Sequence, residues 1–229
     1  MNLDNFDWGW MEGNSESSKY HKSQIIEEIF IQKAYERFFE VEEGDIVFDF
    51  GSSVGPFTYS ILNKNPKQVY CIEPSHQEIE TLTKNVKDGP VTIINKGIGD
   101  SEGYFELNLF GVEDGMKMAQ TTTFDNIREE FNITKIDFIK TDCEGGEYSV
   151  FNNNNIFWIK ENVRKIVGEW HLSSEEEKQK FRIFRDTYLR LFPNIQVFSV
   201  DGIDIKWDLW NEHFIEYYQQ IIVYIDNRN

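Results

Sequence analysis

Cysteine, proline and long apolar runs are scarce in this chain, and each scarcity excludes a class of protein. The 229 residues include two cysteines and five prolines, too few for a disulfide scaffold, and no low-complexity linker is found. No apolar run approaches the roughly 18 to 20 residues that span a bilayer, and the amino terminus lacks the basic-then-apolar order of a signal peptide. We therefore expect no transmembrane segment and a cytoplasmic location.

Basic residues are also few, with 23 Lys and Arg against 40 Asp and Glu, so the net charge is −17. Such a charge repels a nucleic-acid backbone, and we expect no nucleic-acid partner. The apolar share of 40% is enough for a substantial core in a chain of this length. We predict an aromatic arm and a helix in residues 1–40, followed by one globular domain in 41–229.

The stretch 45–57, DIVFDFGSSVGPF, combines an apolar run with a glycine turn. The run ends at Asp49, the turn contains Gly51 and Gly55, and Pro56 occupies a position where proline favours the start of a helix. This order predicts the first strand, turn and helix of an open α/β sheet. Ligands of such sheets lie beyond the carboxyl ends of the strands, so the turn should contact a small molecule.

Strands and helices are predicted to alternate along the rest of the chain, as in a parallel sheet. Helical spacing of apolar residues or helix-start signals indicate helices at 23–39, 56–63, 75–86 and 175–191. Further strands are predicted at 68–72, 91–95, 136–141 and 165–168, with an extra strand at 103–110 and a loop at 111–120. The last two strands, 195–200 and 220–225, are expected to form an antiparallel hairpin at one edge.

The type of ligand can be argued from two acidic residues. Glu73, followed by Pro74, ends the second strand, where a carboxylate can accept hydrogen bonds from a ribose diol. A nicotinamide dinucleotide would need the same acid, but the pattern G-x-G-x-x-G is absent. Asp49 in the turn would repel a pyrophosphate and suits the ammonium of an amino acid. Ribose and a cationic amino acid together describe S-adenosylmethionine.

Four segments, VFDFGSSVGPF, YCIEPS, IDFIKTDCEGGEY and IVGEWH, occur in this order within residues 43–171. This succession resembles the FkbM family of S-adenosylmethionine-dependent methyltransferases, with Phe124 where leucine is usual as the one noted departure. The resemblance implies a Rossmann-like class I methyltransferase fold. That fold has a seven-stranded, mostly parallel sheet with the last strand antiparallel and helices on both faces. It also implies O-methylation of a hydroxyl on a sugar, glycolipid or other small metabolite.

The predicted cofactor site consists of the glycine turn, the acid at the end of the second strand and residues near the next two strand ends. Gly97 and Ile98 are assigned to the adenine by the resemblance. The full set is Asp49, Gly51, Ser52, Ser53, Gly55, Phe57, Glu73, Pro74, Gly97, Ile98 and Asp142.

Three candidate catalytic residues, Asp142, Glu169 and His171, follow two strands that should be neighbours. They could deprotonate a hydroxyl or hold a divalent metal ion. We favour His171 or Asp142 as the base with Glu169 orienting the site. A metal bound by these three residues is the weaker hypothesis, because no closely spaced His or Cys pair supports it. His171 as a core or capping histidine remains an alternative.

Two aromatic segments have open roles. The arm contains Phe6, Trp8 and Trp10, and it either packs on the core or forms a lid over the active site. The insert 201–218 either lines the substrate site or packs against the arm. Two other classes of function also remain: a nicotinamide-dependent oxidoreductase, and a non-catalytic binding module that retains the fold. The sequence makes no prediction of the oligomeric state.

Overall fold

The structure is a computed structural model that describes residues 3–107 and 117–228. In these ranges it contains ten strands: β1 (Ile46–Phe50), β2 (Gln68–Ile72), β3 (Val91–Ile94), β4 (Gly97–Ile98), β5 (Gly103–Leu107), β6 (Lys117–Thr122), β7 (Ile136–Thr141), β8 (Val163–His171), β9 (Asn194–Ser199) and β10 (Gln220–Asp226).

Seven of these strands form the main sheet in the order β3-β2-β1-β7-β8-β10-β9. Neighbouring strands from β3 to β8 are parallel, whereas β10 is antiparallel to both β8 and β9. The predicted fold, with its antiparallel last strand, is confirmed. Because the five parallel strands share one direction, the residues that follow β1, β2, β7 and β8 lie at the same edge of the sheet.

The α-helices are α1 (Glu16–Ile25), α2 (Pro56–Ile61), α3 (His76–Val86), α4 (Phe124–Glu130), α5 (Glu147–Val150), α6 (Ile156–Asn162), α7 (Glu175–Ile183) and α8 (Glu212–Tyr217). Alternate residues of each strand point to opposite faces of the sheet. On one face, Phe48 packs with residues of α4, α6 and α7; on the other, Val47 packs with residues of α2 and α3. The helices therefore cover both faces, as predicted.

The helix predicted at 23–39 lies in a different position. It begins at Glu16, where the side chain of Ser15 accepts the backbone N–H of Ser18, and it continues past α1 as a π-helix, Ile26–Ile31. Lys33 has a φ of 51°, and 34–39 is irregular. The prediction missed the start because the first helical turns are polar and bury little. It overran the end because apolar residues such as Phe39 pack into the core from a non-helical backbone.

Two predicted elements are wrong in length. The strand predicted at 165–168 extends from Val163 to His171, because Glu169 and His171 pair with β10. The helix predicted at 175–191 is α-helical only to Ile183 and continues as a π-helix, Phe184–Tyr188, and a 3₁₀ turn, Leu189–Leu191.

A small second sheet, in the order β4-β6-β5, stands beside the main sheet. The strand predicted at 103–110 is present as β5, and its last three residues lie outside the described residues. The loop predicted at 111–120 is wrong at 117–120, which belongs to β6, and 111–116 lies outside the described residues. The polar sequence of β6 gives no strand pattern, because this strand is held by backbone pairing with β4 and β5.

The insert 201–218 contributes several apolar side chains to the core. Leu209, Phe214 and Ile215 are fully buried in the cluster that also contains Phe181 of α7, whereas Trp207 remains exposed. Packing on α7 therefore replaces the predicted packing against the arm. Within the two described ranges, none of the helices combines the length and the apolarity that crossing a bilayer requires.

Candidate active site

The glycine turn after β1 is shaped by close approach to the end of β7. Gly51 has a φ of 73°, and a Cβ on it would lie 1.8 Å from the carbonyl oxygen of Asp142. Gly55 has a φ of 87°, and its Cβ would lie 2.6 Å from Leu82 of α3. Gly51 thus requires glycine for conformation and for space, whereas Gly55 requires it chiefly for conformation because the Leu82 side chain can move. The turn is fixed against the strand end that also carries Asp142.

Asp49 is fully buried beneath this turn, and its charge is paired inside the protein. Its Oδ1 lies 3.2 Å from Nζ of Lys140, its partner in the β1 and β7 register, and its Oδ2 accepts a hydrogen bond from Thr58. Lys140 also donates to the carbonyl of Gly51 at 2.7 Å. Burial raises the pKa of Asp49, and Lys140 opposes this shift. The geometry gives Asp49 the task of holding the turn rather than contacting an ammonium group directly.

Glu73 also supports the turn. Its two oxygens accept the backbone N–H groups of Ser53 and Ser75 at 2.9 and 2.8 Å, and the side chain is buried. Burial and the adjacent charge of Glu78 raise the pKa of Glu73. Glu78, which the sequence analysis did not select, accepts hydrogen bonds from Ser53 Oγ and Trp10 Nε1. Two carboxyl groups therefore lie beside the turn, Glu73 directly after β2 and Glu78 in α3. Glu78 is the more exposed of the two.

The other predicted cofactor residues fall into two groups. Pro74 and Ile98 are partly exposed, with Pro74 beside Gly97 and Ile98 beside Gly146. Four members are buried in the turn or the core: Ser52, Gly55, Phe57 and Gly97. Ser52 donates a hydrogen bond to the carbonyl of Asp49, and the ring of Phe57 stacks on Phe138. Phe57 is 2% exposed, so in this arrangement it packs beneath the site.

Asp142, directly after β7, is partly exposed and lies at the centre of the strand ends. Its Oδ2 accepts a hydrogen bond of 3.0 Å from the hydroxyl of Tyr35. Glu28, from the π-helix, stands near the same hydroxyl, and burial together with Asp142 raises the pKa of Glu28 to about 7. The sequence analysis missed Glu28 and Tyr35, because 107 residues separate Tyr35 from Asp142. The one available signal was that Tyr35 lies at an apolar position of an apparent helix.

His171 ends β8 and is held by Glu147 of α5. Its Nδ1 lies 3.1 Å from Oε1 of Glu147, which also accepts the backbone N–H of His171, and Glu147 is fully buried. Burial alone would lower the pKa of His171, but the hydrogen bond and the charge of Glu147 outweigh it and raise this pKa to about 10. At neutral pH and without another cation nearby, the imidazole is therefore protonated.

The carboxyl groups of three other residues lie on the opposite side of this imidazole. Nε2 of His171 lies 3.4 Å from Glu144 and 3.8 Å from Glu169, and Asp142 stands close enough to influence its pKa. Burial and the charges of Asp142 and Glu28 raise the pKa of Glu169 to about 9, so this group is a neutral acid at pH 7. We call Asp142, Glu144, Glu147 and Glu169 the acid cluster. The structure brings all three predicted catalytic residues together and adds Glu144 and Glu147.

The aromatic arm packs on the glycine turn. Phe6, Trp8 and Met11 are buried with Val54 of the turn. The side-chain amide of Asn85, in α3, donates to the carbonyls of Asp7 and Val54, both at 2.8 Å. One helix side chain thus ties the arm and the turn together.

A family model described as the methyltransferase FkbM domain matches residues 45–192, which is more than half of the chain. The chain belongs to the FkbM methyltransferase family. The matched range contains the glycine turn, the acid cluster and His171. The methyl donor of this FkbM methyltransferase is S-adenosylmethionine. This donor excludes the alternative of a nicotinamide-dependent oxidoreductase. No curated protein matches the sequence.

Solved structures share the fold of this FkbM methyltransferase at low sequence identity. A putative rRNA methylase from Clostridium thermocellum is 13% identical, with a TM-score of 0.50 and coverage of 90% of this chain and 96% of the other. A putative O-methyltransferase from Klebsiella pneumoniae is 12% identical, with a TM-score of 0.48 and coverage of 90% and 80%. Aeropyrum pernix fibrillarin with bound S-adenosyl-L-methionine is also 12% identical, with a TM-score of 0.46 and coverage of 95% and 76%. The match to the Clostridium thermocellum protein concerns the fold and not the substrate.

Proposed function

We propose that this FkbM methyltransferase transfers a methyl group to a hydroxyl of a small molecule such as a sugar, a glycolipid or another metabolite. The observation that carries this proposal is the acid cluster around His171, directly beside the glycine turn. A hydroxyl is a weak nucleophile until its proton leaves, so its methylation benefits from proton-accepting groups beside the methyl donor. This requirement explains why several carboxyl groups gather where the acceptor would lie.

Methyl transfer is an in-line displacement, and the protein must chiefly align the oxygen, the methyl carbon and the sulfur. When bound, S-adenosylmethionine would supply the methyl carbon, whose bond to sulfur would break as the bond to the acceptor oxygen formed, so that a neutral thioether would remain. The hydroxyl proton passes to a carboxylate of the acid cluster. His171 in its protonated form cannot accept this proton, and it instead stabilises negative charge on the oxygen.

The cofactor side of the proposal uses the partly exposed residues of the predicted set. The partly exposed members are Gly51, Ser53, Pro74, Ile98 and Asp142, and we assign the contacts with the cofactor to them. Asp49, Glu73 and Phe57 support them from beneath. Glu78 is added as the carboxyl group better placed for the ribose hydroxyls.

The arm is proposed to act as a fixed wall of the cofactor site. The buried packing of Phe6 and Trp8 on Val54 supports this role over that of a mobile lid. The division into an arm and helix (1–40) and a methyltransferase domain (41–229) stays a proposal, as does the cytoplasmic location.

A small acceptor is favoured over RNA by charge. The net charge of −17 and the carboxyl groups at the site would both repel a phosphate backbone. The same carboxyl groups suit the hydroxyls of a sugar, because a carboxylate accepts hydrogen bonds from adjacent hydroxyl groups.

The test supplies S-adenosylmethionine with an isotopically labelled methyl group together with glycosides, glycolipids, hydroxylated metabolites, amines and an RNA fragment. We expect label in a methyl ether, with Asp142→Asn slowing transfer by roughly 10²- to 10⁴-fold. Glu43→Gln, an equal charge change in the exposed loop before β1, is the control and should retain full activity. Label in an N-methyl group or in the RNA would contradict the proposal, as would full activity of Asp142→Asn.

A further inference from the structure

We propose that Asp142, Glu144 and His171 bind a divalent metal cation. One ligand atom from each residue lies within 4.8 Å of the other two. Ligands of one Mg²⁺, Mn²⁺ or Zn²⁺ ion lie about 2.1 Å from it, so two such ligands stand roughly 3 to 4.2 Å apart. Small side-chain rotations would therefore bring the three atoms onto one ion.

The imidazole of His171 provides the observation that points to a ligand. This residue is 3% exposed, and its Nε2 has no hydrogen-bond partner within residues 3–107 and 117–228, although it is directed toward Glu144 and Glu169. A buried nitrogen without a partner is rare and requires an explanation. A metal ion between the carboxylates and Nε2 supplies one.

Glu147 holds this imidazole in the way that proteins hold metal-binding histidines. A carboxylate on one ring nitrogen fixes the orientation of the ring and leaves the other nitrogen free for the metal. Glu147 performs this task at Nδ1, and it is itself held by the backbone N–H groups of His171 and Gly145. Both oxygens of Glu147 are therefore engaged, and the ring of His171 is held with Nε2 facing Glu144 and Glu169.

Glu144 provides the open side of the site. Its side chain is 73% exposed, whereas His171 is buried, so an ion would reach the trio from solvent and keep room for further oxygen ligands. The nearby cation Lys140 is engaged by Asp49 and by the carbonyl of Gly51. A divalent ion would therefore take the place of the proton on His171 and add positive charge beside the acid cluster.

The two carboxylates suit Mn²⁺ or Mg²⁺ better than a soft metal, and the imidazole, a ligand of transition metals, favours Mn²⁺ over Mg²⁺. The ligand trio differs from the one predicted from the sequence, since Glu144 takes the place of Glu169. For its chemical use the inference rests on the proposed function, because an ion here would bind the acceptor hydroxyl as a Lewis acid and favour its deprotonated form. The binding itself does not depend on that function.

The test is a Mn²⁺ titration of chelator-treated protein in the absence of cofactor, with free aqueous Mn²⁺ measured by electron paramagnetic resonance. We expect one saturable site per chain, weakened at least about 10-fold in Glu144→Gln and in Glu147→Gln. Glu43→Gln changes the net charge equally and should bind Mn²⁺ like the wild type. Because Glu144 is exposed, its variant should also keep the circular dichroism spectrum and the melting temperature of the wild type.

Two results would overturn the inference: no saturable site in the wild type, or equal Mn²⁺ affinity in the wild type and Glu144→Gln. Calorimetric titration of the same samples with S-adenosylhomocysteine separates this outcome from failure of the proposed function. Loss of adenosyl binding with an intact Mn²⁺ site would count against the function alone. Intact adenosyl binding without a Mn²⁺ site would count against the metal alone.

Discussion

Gly51 occupies a position in which a side chain cannot fit without moving the strand ends. For Gly51→Ala, the new Cβ would overlap the carbonyl of Asp142, and the positive φ adds about 1 to 2 kcal/mol of backbone strain. We expect a lower melting temperature and at least a tenfold loss of S-adenosylmethionine affinity, measured by calorimetry.

Gly44→Ala is the matched control for this change. Gly44 has a φ of 83°, and its added Cβ would meet nothing within 4 Å. Its variant should show the backbone strain alone and keep the cofactor affinity of the wild type. Equal cofactor affinity in both variants would show that contact between Gly51 and Asp142 does not shape the site.

Lys140 tests whether Asp49 is neutralised inside the protein. Lys140→Met would leave a fully buried carboxylate without its partner, and removing one member of a buried pair typically costs about 3 to 5 kcal/mol. We expect a loss of this order in the free energy of unfolding measured with urea. The double variant Asp49→Asn with Lys140→Met should recover part of the loss. Unchanged stability in Lys140→Met would contradict the pairing.

For single residues, the sequence indicated which side chains lie at the strand ends better than it indicated which side chains they contact. Asp49, Gly51 and Asp142 were found because they follow apolar strand runs, and strand order places such positions at one edge. The pairing of Asp49 with Lys140 depends on the register between β1 and β7. Register between distant strands is set by tertiary packing, so one sequence gives no signal for it beyond a lone lysine in a buried strand.

Among the elements, α3 connects the arm to the glycine turn through Asn85. Asn85→Ala removes the hydrogen bonds to Asp7 and Val54 and leaves partly buried backbone groups without partners, at about 1 to 3 kcal/mol for each such group. We expect a lower melting temperature and weaker binding of S-adenosylmethionine. These two quantities are measured by calorimetry on the same preparation.

Thr83→Ala, on an exposed position of the same helix, is the control for Asn85→Ala. In the part of the chain that the structure describes, its hydroxyl bonds only to the carbonyl of Ile79, four residues earlier, so its loss should change neither quantity appreciably. If Asn85→Ala destabilised the protein yet bound the cofactor like the wild type, the arm would not be a wall of the cofactor site.

The bounds of helices and strands could be predicted where the local sequence signals were strong. The helix predicted at 75–86 is present as α3, and Ser75 caps it by accepting the N–H of Glu78. The π-helix that places Glu28 near Asp142 has no comparable signal, because its apolar residues fit an ordinary helical period. Such π segments often occur at functional sites, which agrees with the position of Glu28.

For the molecule as a whole, the raised pKa values of two glutamates and one histidine at the site predict how the free energy of unfolding changes with pH. Glu28, Glu169 and His171 have folded pKa values of about 7, 9 and 10, each above its unfolded value. The folded protein therefore holds more protons than the unfolded chain between about pH 4.5 and 10. Stability from these groups is present at the acidic end of this window and is lost as pH rises through the folded values.

We expect the free energy of unfolding, measured with urea in the presence of a chelator, to fall by on the order of a few kcal/mol between about pH 6 and about pH 9.5. Glu169→Gln mimics the protonated carboxyl group and should reduce this slope. A free energy of unfolding that rises with pH in the wild type would contradict the charge distribution described for the site.

The fold of the whole chain was the most predictable level, because alternating apolar runs and helix signals specify a parallel sheet largely through local sequence. The site was predictable only in part. Its strand-end acids are visible in the sequence, whereas Glu28, Tyr35 and the arm reach it through packing between segments far apart in the chain.

The central claim, that this FkbM methyltransferase binds an adenosyl cofactor at the glycine turn, is tested most directly by calorimetric titration. The ligands are S-adenosylmethionine, S-adenosylhomocysteine and NAD, added to the wild type and to Gly51→Ala. The account predicts one adenosyl ligand per chain, weakened in Gly51→Ala, and no binding of NAD. Binding of NAD without either adenosyl ligand, or equal adenosyl affinity in the two proteins, would contradict it.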